Sequence, residues 1–199
     1  MKAVELNEKV MELVKELDLT PLQEHIANVG WGQQLEVKNI SGKPNQYYQW
    51  LHCLMKLLQP KQVVELGAAS GISTILMATA LPEDSILYSV DNDPEIAWKW
   101  MKYDYPQVKK ILSDDLDMDI WKGIDLKKTD VWFIDTLHEE IQLRRELLLY
   151  SPFMKRGSIL IFDDIHLNDG MEAVWEELYH DKLDISDPCH YSGFGLCVL

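Results

Sequence analysis

From residue 62 onward the chain alternates short apolar or β-branched runs with amphipathic helical segments. No other feature limits the fold as strongly. Runs at 62–66, 85–91, 107–112, 130–135 and 157–163 read as strands, and segments at 70–81, 94–103 and 139–154 between them read as helices. Met171, Val174, Trp175, Leu178 and Tyr179 make a further helical stripe, and 182–186 and 193–199 read as two closing strands. Such alternation predicts right-handed crossovers and a sheet covered on both faces. The expected fold class is α/β, with a doubly wound, mostly parallel seven-stranded sheet. Ahead of it, Leu6, Val10, Leu13, Val14 and Leu17 share one helical face. Tyr47, Trp50, Leu51, Leu54 and Leu58 share another, which Gln59-Pro60 ends. Residues 1–59 are therefore expected as a helical cover with a substrate-side loop, and 60–199 as the core of one compact domain. Trp31, set between Gly30 and Gly32 in the intervening loop, reads either as a lid or as loop packing.

In an open α/β sheet the ligand crevice lies beyond the carboxyl ends of the strands. Asp91, Asp135, Asp163 and Asp164 all fall there. This gives meaning to a formal net charge of −14, from 33 acidic and 19 basic residues. The same excess argues against nucleic acid, whose phosphates need clustered Lys and Arg. No run reaches membrane-spanning length and the amino terminus is Glu-rich, so neither a span nor a secretory signal is expected. Cys53, Cys189 and Cys197 lack metal-ligand spacing and read as reduced thiols, which suits a cytoplasmic protein.

Three segments carry ligand chemistry. Glu65-Leu66-Gly67-Ala68-Ala69-Ser70-Gly71 runs from a buried strand through small residues into a helix, so a ligand can approach the backbone. Ala69 and Ile72 stand where the dinucleotide fingerprint has glycines, and a phosphate loop is absent. Asp91 ends the next strand, where a carboxylate can accept both hydroxyls of a ribose; Asp93 before Pro94 is the better helix cap. Ser113-Asp114-Asp115 follows the third strand and reads either as a contact to an adenine edge or as a helix cap.

The order E-L-G-A-A-S-G, Y-S-V-D, S-D-D, F-I-D and I-F-D-D resembles class I S-adenosylmethionine-dependent methyltransferases, whose fold is Rossmann-like. The likeness is closest to the catechol O-methyltransferase-like small-molecule enzymes and covers about 46–169. By this resemblance Glu65, Gly67, Ala68, Ala69, Ser70 and Gly71 would cradle the methionine and sugar of S-adenosylmethionine. Asp91, with Asn92 beside it, would hold the ribose. Ser113 and Asp114 or Asp115 would meet the adenine, and Asp135 would border the cofactor.

Asp135, Asp163 and Asp164, at two neighbouring strand ends, supply hard oxygen donors for Mg²⁺ or another divalent cation. The resembling enzymes have Asp, Asp and Asn there, so Asp164 stands for the Asn. They carry a Lys base three residues after the first Asp, where this chain has His138; His166 is the alternative base. The plainer readings are turn chemistry for Asp163-Asp164 and a surface position for His138. The 190–195 loop reads first as a structural hairpin, and otherwise as a border of the acceptor pocket. The implied function is methyl transfer to a hydroxyl of a small molecule by a metal-assisted enzyme, with a homodimer as the possible assembly. The alternatives are a metal-independent N- or O-methyltransferase and a non-catalytic cofactor-binding module.

Overall fold

The computed structural model describes residues 1–18, 20–25 and 46–199. The loop glycines and Trp31 lie outside the described residues. Helices α1 (Ala3–Glu16), α2 (Thr20–Gln23) and α3 (Tyr47–Leu58) precede the sheet. The core then runs β1 (Gln62–Leu66), α4 (Ile72–Ala78), β2 (Ile86–Asp91), β3 (Val108–Leu112) and β4 (Val131–Ile134). It continues α5 (Glu140–Tyr150), β5 (Ile159–Asp163), α6 (Asp169–Glu177), β6 (Asp181–Asp184), α7 (Ser186–Cys189) and β7 (Phe194–Val198).

The seven strands lie in the order β3-β2-β1-β4-β5-β7-β6. The first five pair in parallel, while β7 runs antiparallel between β5 and β6. Reversal of strand order between β1 and β4 opens a crevice at their carboxyl ends. The expected doubly wound, seven-stranded architecture is the observed one.

Strand side chains alternate between two apolar layers, as the pleat requires. Val63, Leu87, Val131, Phe133, Ile161 and Leu196 face α1, α3 and α4. Val64, Leu66, Val90, Trp132, Ile134 and Phe162 face the layer of α5 and α6. The amino-terminal helices are thus part of one sheet layer. Trp50, fully buried on α3, donates from Nε1 to Asn7 Oδ1 at 2.8 Å, and Ala3 N donates to Asp181 Oδ2 at 3.0 Å, fixing α1 across the β6 edge.

The expected helix at 94–103 is absent. Asp93 opens a single helical turn, with Ala97 N donating to Asp93 O at 2.9 Å. Trp98 then takes a left-handed φ of 56°, which stops the helix. Its amide turns to Ala69 O at 2.8 Å, and the Trp100 amide to Ser70 O at 3.0 Å. The segment becomes a strap bound to the turn after β1. The helix expected at 70–81 is also shorter, because Gly71 takes a φ of 87° and starts α4 at Ile72.

Candidate active site

Between β1 and α4, Gly67 (φ 84°), Ala69 (φ 41°) and Gly71 (φ 87°) bend the chain back over the sheet. At Gly67 only glycine fits: a Cβ there would lie 1.8 Å from the Asp135 carbonyl oxygen. Asp91 ties this turn to β2. Its Oδ2 accepts from Ala68 N at 3.0 Å and Ala69 N at 2.6 Å, and its Oδ1 accepts from Asp93 N at 2.8 Å. A carboxylate has about four acceptor positions, so ligand hydroxyls can still be accommodated.

Glu65 lies beneath the turn and is fully buried. It accepts from Ser73 and Thr74 hydroxyls at 2.6 Å each and from Ser89 at 2.5 Å. Trp98 Nε1 donates to Ser89 Oγ at 2.8 Å, so the strap and the turn share one polar anchor. Burial pushes Glu65 up to about 7, although the three hydroxyls oppose it.

A cavity of ≈ 390 Å³ opens above the carboxyl ends of β1, β2 and β4. Gly67, Ala69, Asp91, Asn92, Ser113, Asp114, Asp115 and Asp135 line it. Glu65, Ala68, Ser70 and Gly71, also expected at the cofactor, lie outside that lining. Asp114 accepts from Leu116 N at 2.9 Å in a local turn. The Asp115 carboxylate turns toward α5, where Gln142 Nε2 donates to it at 3.2 and 3.3 Å. Gln142 and Thr136 also hold the buried Glu146, which burial and Asp115 push up to about 8. The lining residues Thr136, Leu137 and Gln142 had no motif to announce them.

Beside the cavity, β4 and β5 deliver a second group. Asp135 His138 and Asp163 can bring one ligand atom each within 4.8 Å of one another, and Asp163, Asp164 and His190 form an overlapping set. His138 Nε2 lies 3.1 Å from Asp135 Oδ1, and its Nδ1 lies 3.4 Å from Asp164 Oδ2. His190 Nδ1 lies 3.0 Å from Asp163 Oδ1 and 3.3 Å from Asp164 Oδ1, while the Ser192 hydroxyl donates to Asp164. Asp164 itself has a left-handed φ of 54°, and its amide donates to Gly193 O at 2.9 Å.

Burial and the charge of Asp135 raise Asp163 to about 7. Asp164 is also buried, but hydrogen bonds from His190 and Ser192 hold it below the usual carboxylate range. Burial opposes the imidazolium of each histidine, yet the carboxylates win, taking His138 to about 9 and His190 to about 10. At neutral pH, then, His138 enters as a cation rather than as a ready base. His166 is placed elsewhere, with Nε2 2.7 Å from Asp184 Oδ2 and Nδ1 3.5 Å from Glu172 Oε1.

A family model described as a methyltransferase domain matches residues 64–165, just over half of the chain. The chain belongs to this methyltransferase family. Among curated relatives, a catechol O-methyltransferase of Niastella koreensis is 45% identical over 58 residues, 29% of this chain and 26% of that protein. A probable caffeoyl-CoA O-methyltransferase 3 of Dictyostelium discoideum is 27% identical over 131 residues, 62% of this chain. That alignment spans 50% of the Dictyostelium protein, so the chain matches half or less of either curated relative's length. The O-methyltransferase TomG of Streptomyces achromogenes, solved in complex with SAM, superposes with a TM-score of 0.58 at 19% identity. It covers 98% of this chain and 89% of its own. At that identity the superposition speaks for the methyltransferase fold alone.

Proposed function

We propose that this chain transfers a methyl group from S-adenosylmethionine to a hydroxyl oxygen of a small molecule. One observation carries the proposal: Asp135 belongs both to the cavity lining and to the histidine–carboxylate group. A cofactor in the cavity and an acceptor hydroxyl at that group would meet across a single residue. Names of the curated relatives point to the same chemistry.

In this scheme Asp91 accepts the ribose hydroxyls, the small-residue turn after β1 cradles the methionine end, and Ser113 to Asp115 border the adenine. Asp135, Asp163 and Asp164 have the charge and the oxygen donors to hold a divalent cation. Such a cation, when bound, lowers the pKa of a coordinated hydroxyl. His138 stands next to Asp135 and takes the hydroxyl proton once its own proton has left. Most of the acceleration comes from holding nucleophile and methyl in line, since the sulfonium is already activated.

A metal-independent route has one observation in its favour, because His138 and His190 already neutralise the carboxylates. Turnover in excess chelator separates the two: retained activity selects the metal-free route, and abolished activity selects the cation. The cofactor assignment has its own test. Asp91→Ala should weaken S-adenosylmethionine binding about 10- to 100-fold by calorimetry, the loss of one or two charge-assisted hydrogen bonds. Unchanged affinity would remove the ribose from Asp91. Cofactor binding without turnover across phenols, alcohols and sugars would identify a binding module instead. Three free cysteines, all buried, suit a reducing compartment such as the cytoplasm. Among the described residues, no helix is long and apolar enough to cross a membrane.

A further inference from the structure

We propose that His190 is a metal ligand, making a mixed nitrogen–oxygen site with Asp135, Asp163 and Asp164 that takes a transition-metal cation such as Mn²⁺, Fe²⁺, Co²⁺ or Zn²⁺ in preference to Mg²⁺. The inference rests on the reading of these carboxylates as a cation site and deepens it.

Spacing comes first. Ligand atoms at right angles around a metal, each about 2.1 Å away, are about 3.0 Å apart. His190 Nδ1 is 3.0 Å from Asp163 Oδ1 and 3.3 Å from Asp164 Oδ1. Asp163, Asp164 and His190 can each bring one ligand atom within 4.8 Å of the others, so one ion beside the Asp163 carboxylate can draw on the His190 imidazole.

Orientation comes second. The His190 side chain is only 13% exposed and packs against Tyr47, with ring centroids 4.6 Å apart, and against Tyr191 at 5.2 Å. Its backbone amide donates to Ser186 O at 2.8 Å. The Ser192 hydroxyl donates to Asp164, an outer partner of the kind that aims a ligating carboxylate. The His190 imidazole is therefore aimed before an ion arrives.

Ligand chemistry comes third. Magnesium takes oxygen donors and keeps its waters, whereas imidazole suits the later divalent ions. An all-oxygen magnesium site gains nothing from a fixed nitrogen at its edge. An iron or zinc site does.

The test uses the full chain, freed of metal by chelator and titrated with Mn²⁺ or Mg²⁺. Free Mn²⁺ is followed by its electron paramagnetic resonance signal, and bound Mn²⁺ by electron spin echo modulation from ¹⁴N. The expected wild-type result is histidine ¹⁴N modulation, with Mn²⁺ held about 10-fold or more tighter than Mg²⁺. His190→Gln should remove the histidine modulation and weaken Mn²⁺ about 10- to 100-fold, with Mg²⁺ changed less than about 3-fold. The wild-type spectrum tests the ligation even where that variant folds poorly. Bound Mn²⁺ without ¹⁴N modulation overturns the histidine ligand while leaving the carboxylate cation site standing. If neither ion binds, both readings are overturned.

Discussion

Glu65 is the clearest case of a single residue whose protonation the fold controls. Buried beneath the turn after β1, it is raised from the ordinary 4.5 to about 7. Between those values the unfolded chain loses the proton and the folded chain keeps it, so stability falls as pH rises through the window. The effect is at most about 3 kcal/mol. Its contribution is complete below about 4.5 and gone above about 7. Glu65→Gln keeps an acceptor for Ser73, Thr74 and Ser89 but cannot ionise. Urea unfolding at several pH values between these limits should show a shallower decline in the variant. A slope equal to that of wild type would assign the pH dependence to other groups, with the Asp115–Glu146 pair first among them.

At the level of elements, strands were the most legible part. β1 begins and ends where its apolar run does, and β2 through β5 differ from expectation by one or two residues at their ends. Buried parallel strands show themselves as continuous apolar runs, and their terminal aspartates mark the crevice directly. The strap after β2 was hidden for a physical reason. Its sequence permits a helix, but Trp98 and Trp100 amides find partners in the Ala69 and Ser70 carbonyls, far away in sequence. Asp91, Asp135, Asp163 and Asp164 could be read from strand ends alone. His190 could not, since only the antiparallel return of β7 brings the segment before it to Asp163. β7 also offers a packing test. Gly195 lies under Trp175 of α6, and a Cβ there would come within 2.6 Å of Trp175 Cζ3. Gly195→Ala should cost about 1–3 kcal/mol of unfolding free energy. With Trp175→Leu in the same chain, the double variant should lose less than the sum of the two single losses. Strict additivity in denaturant titrations would mean that α6 and β7 do not press on each other there.

Across the whole molecule, the formal charge of −14 acts on every carboxylate that folding brings close. Ion pairs such as Arg144 with Glu177 and Lys155 with Asp130 offset only part of it. Screening should therefore stabilise the fold. The melting temperature should rise as NaCl goes from about 10 to about 150 mM, over which the Debye length shrinks from roughly 30 to 8 Å. A fall over that range would mean that attractive pairs outweigh the repulsion. One contact then links the two halves of the crevice. Gly67 rests on the Asp135 carbonyl, and the Asp135 amide donates to Leu66 O at 2.8 Å, so the turn after β1 and the carboxylate loop share one piece of backbone. Under the proposed function, occupants of the two sides would be bound by reciprocity: whatever factor a bound cofactor added to a cation's affinity, the cation would return to the cofactor's.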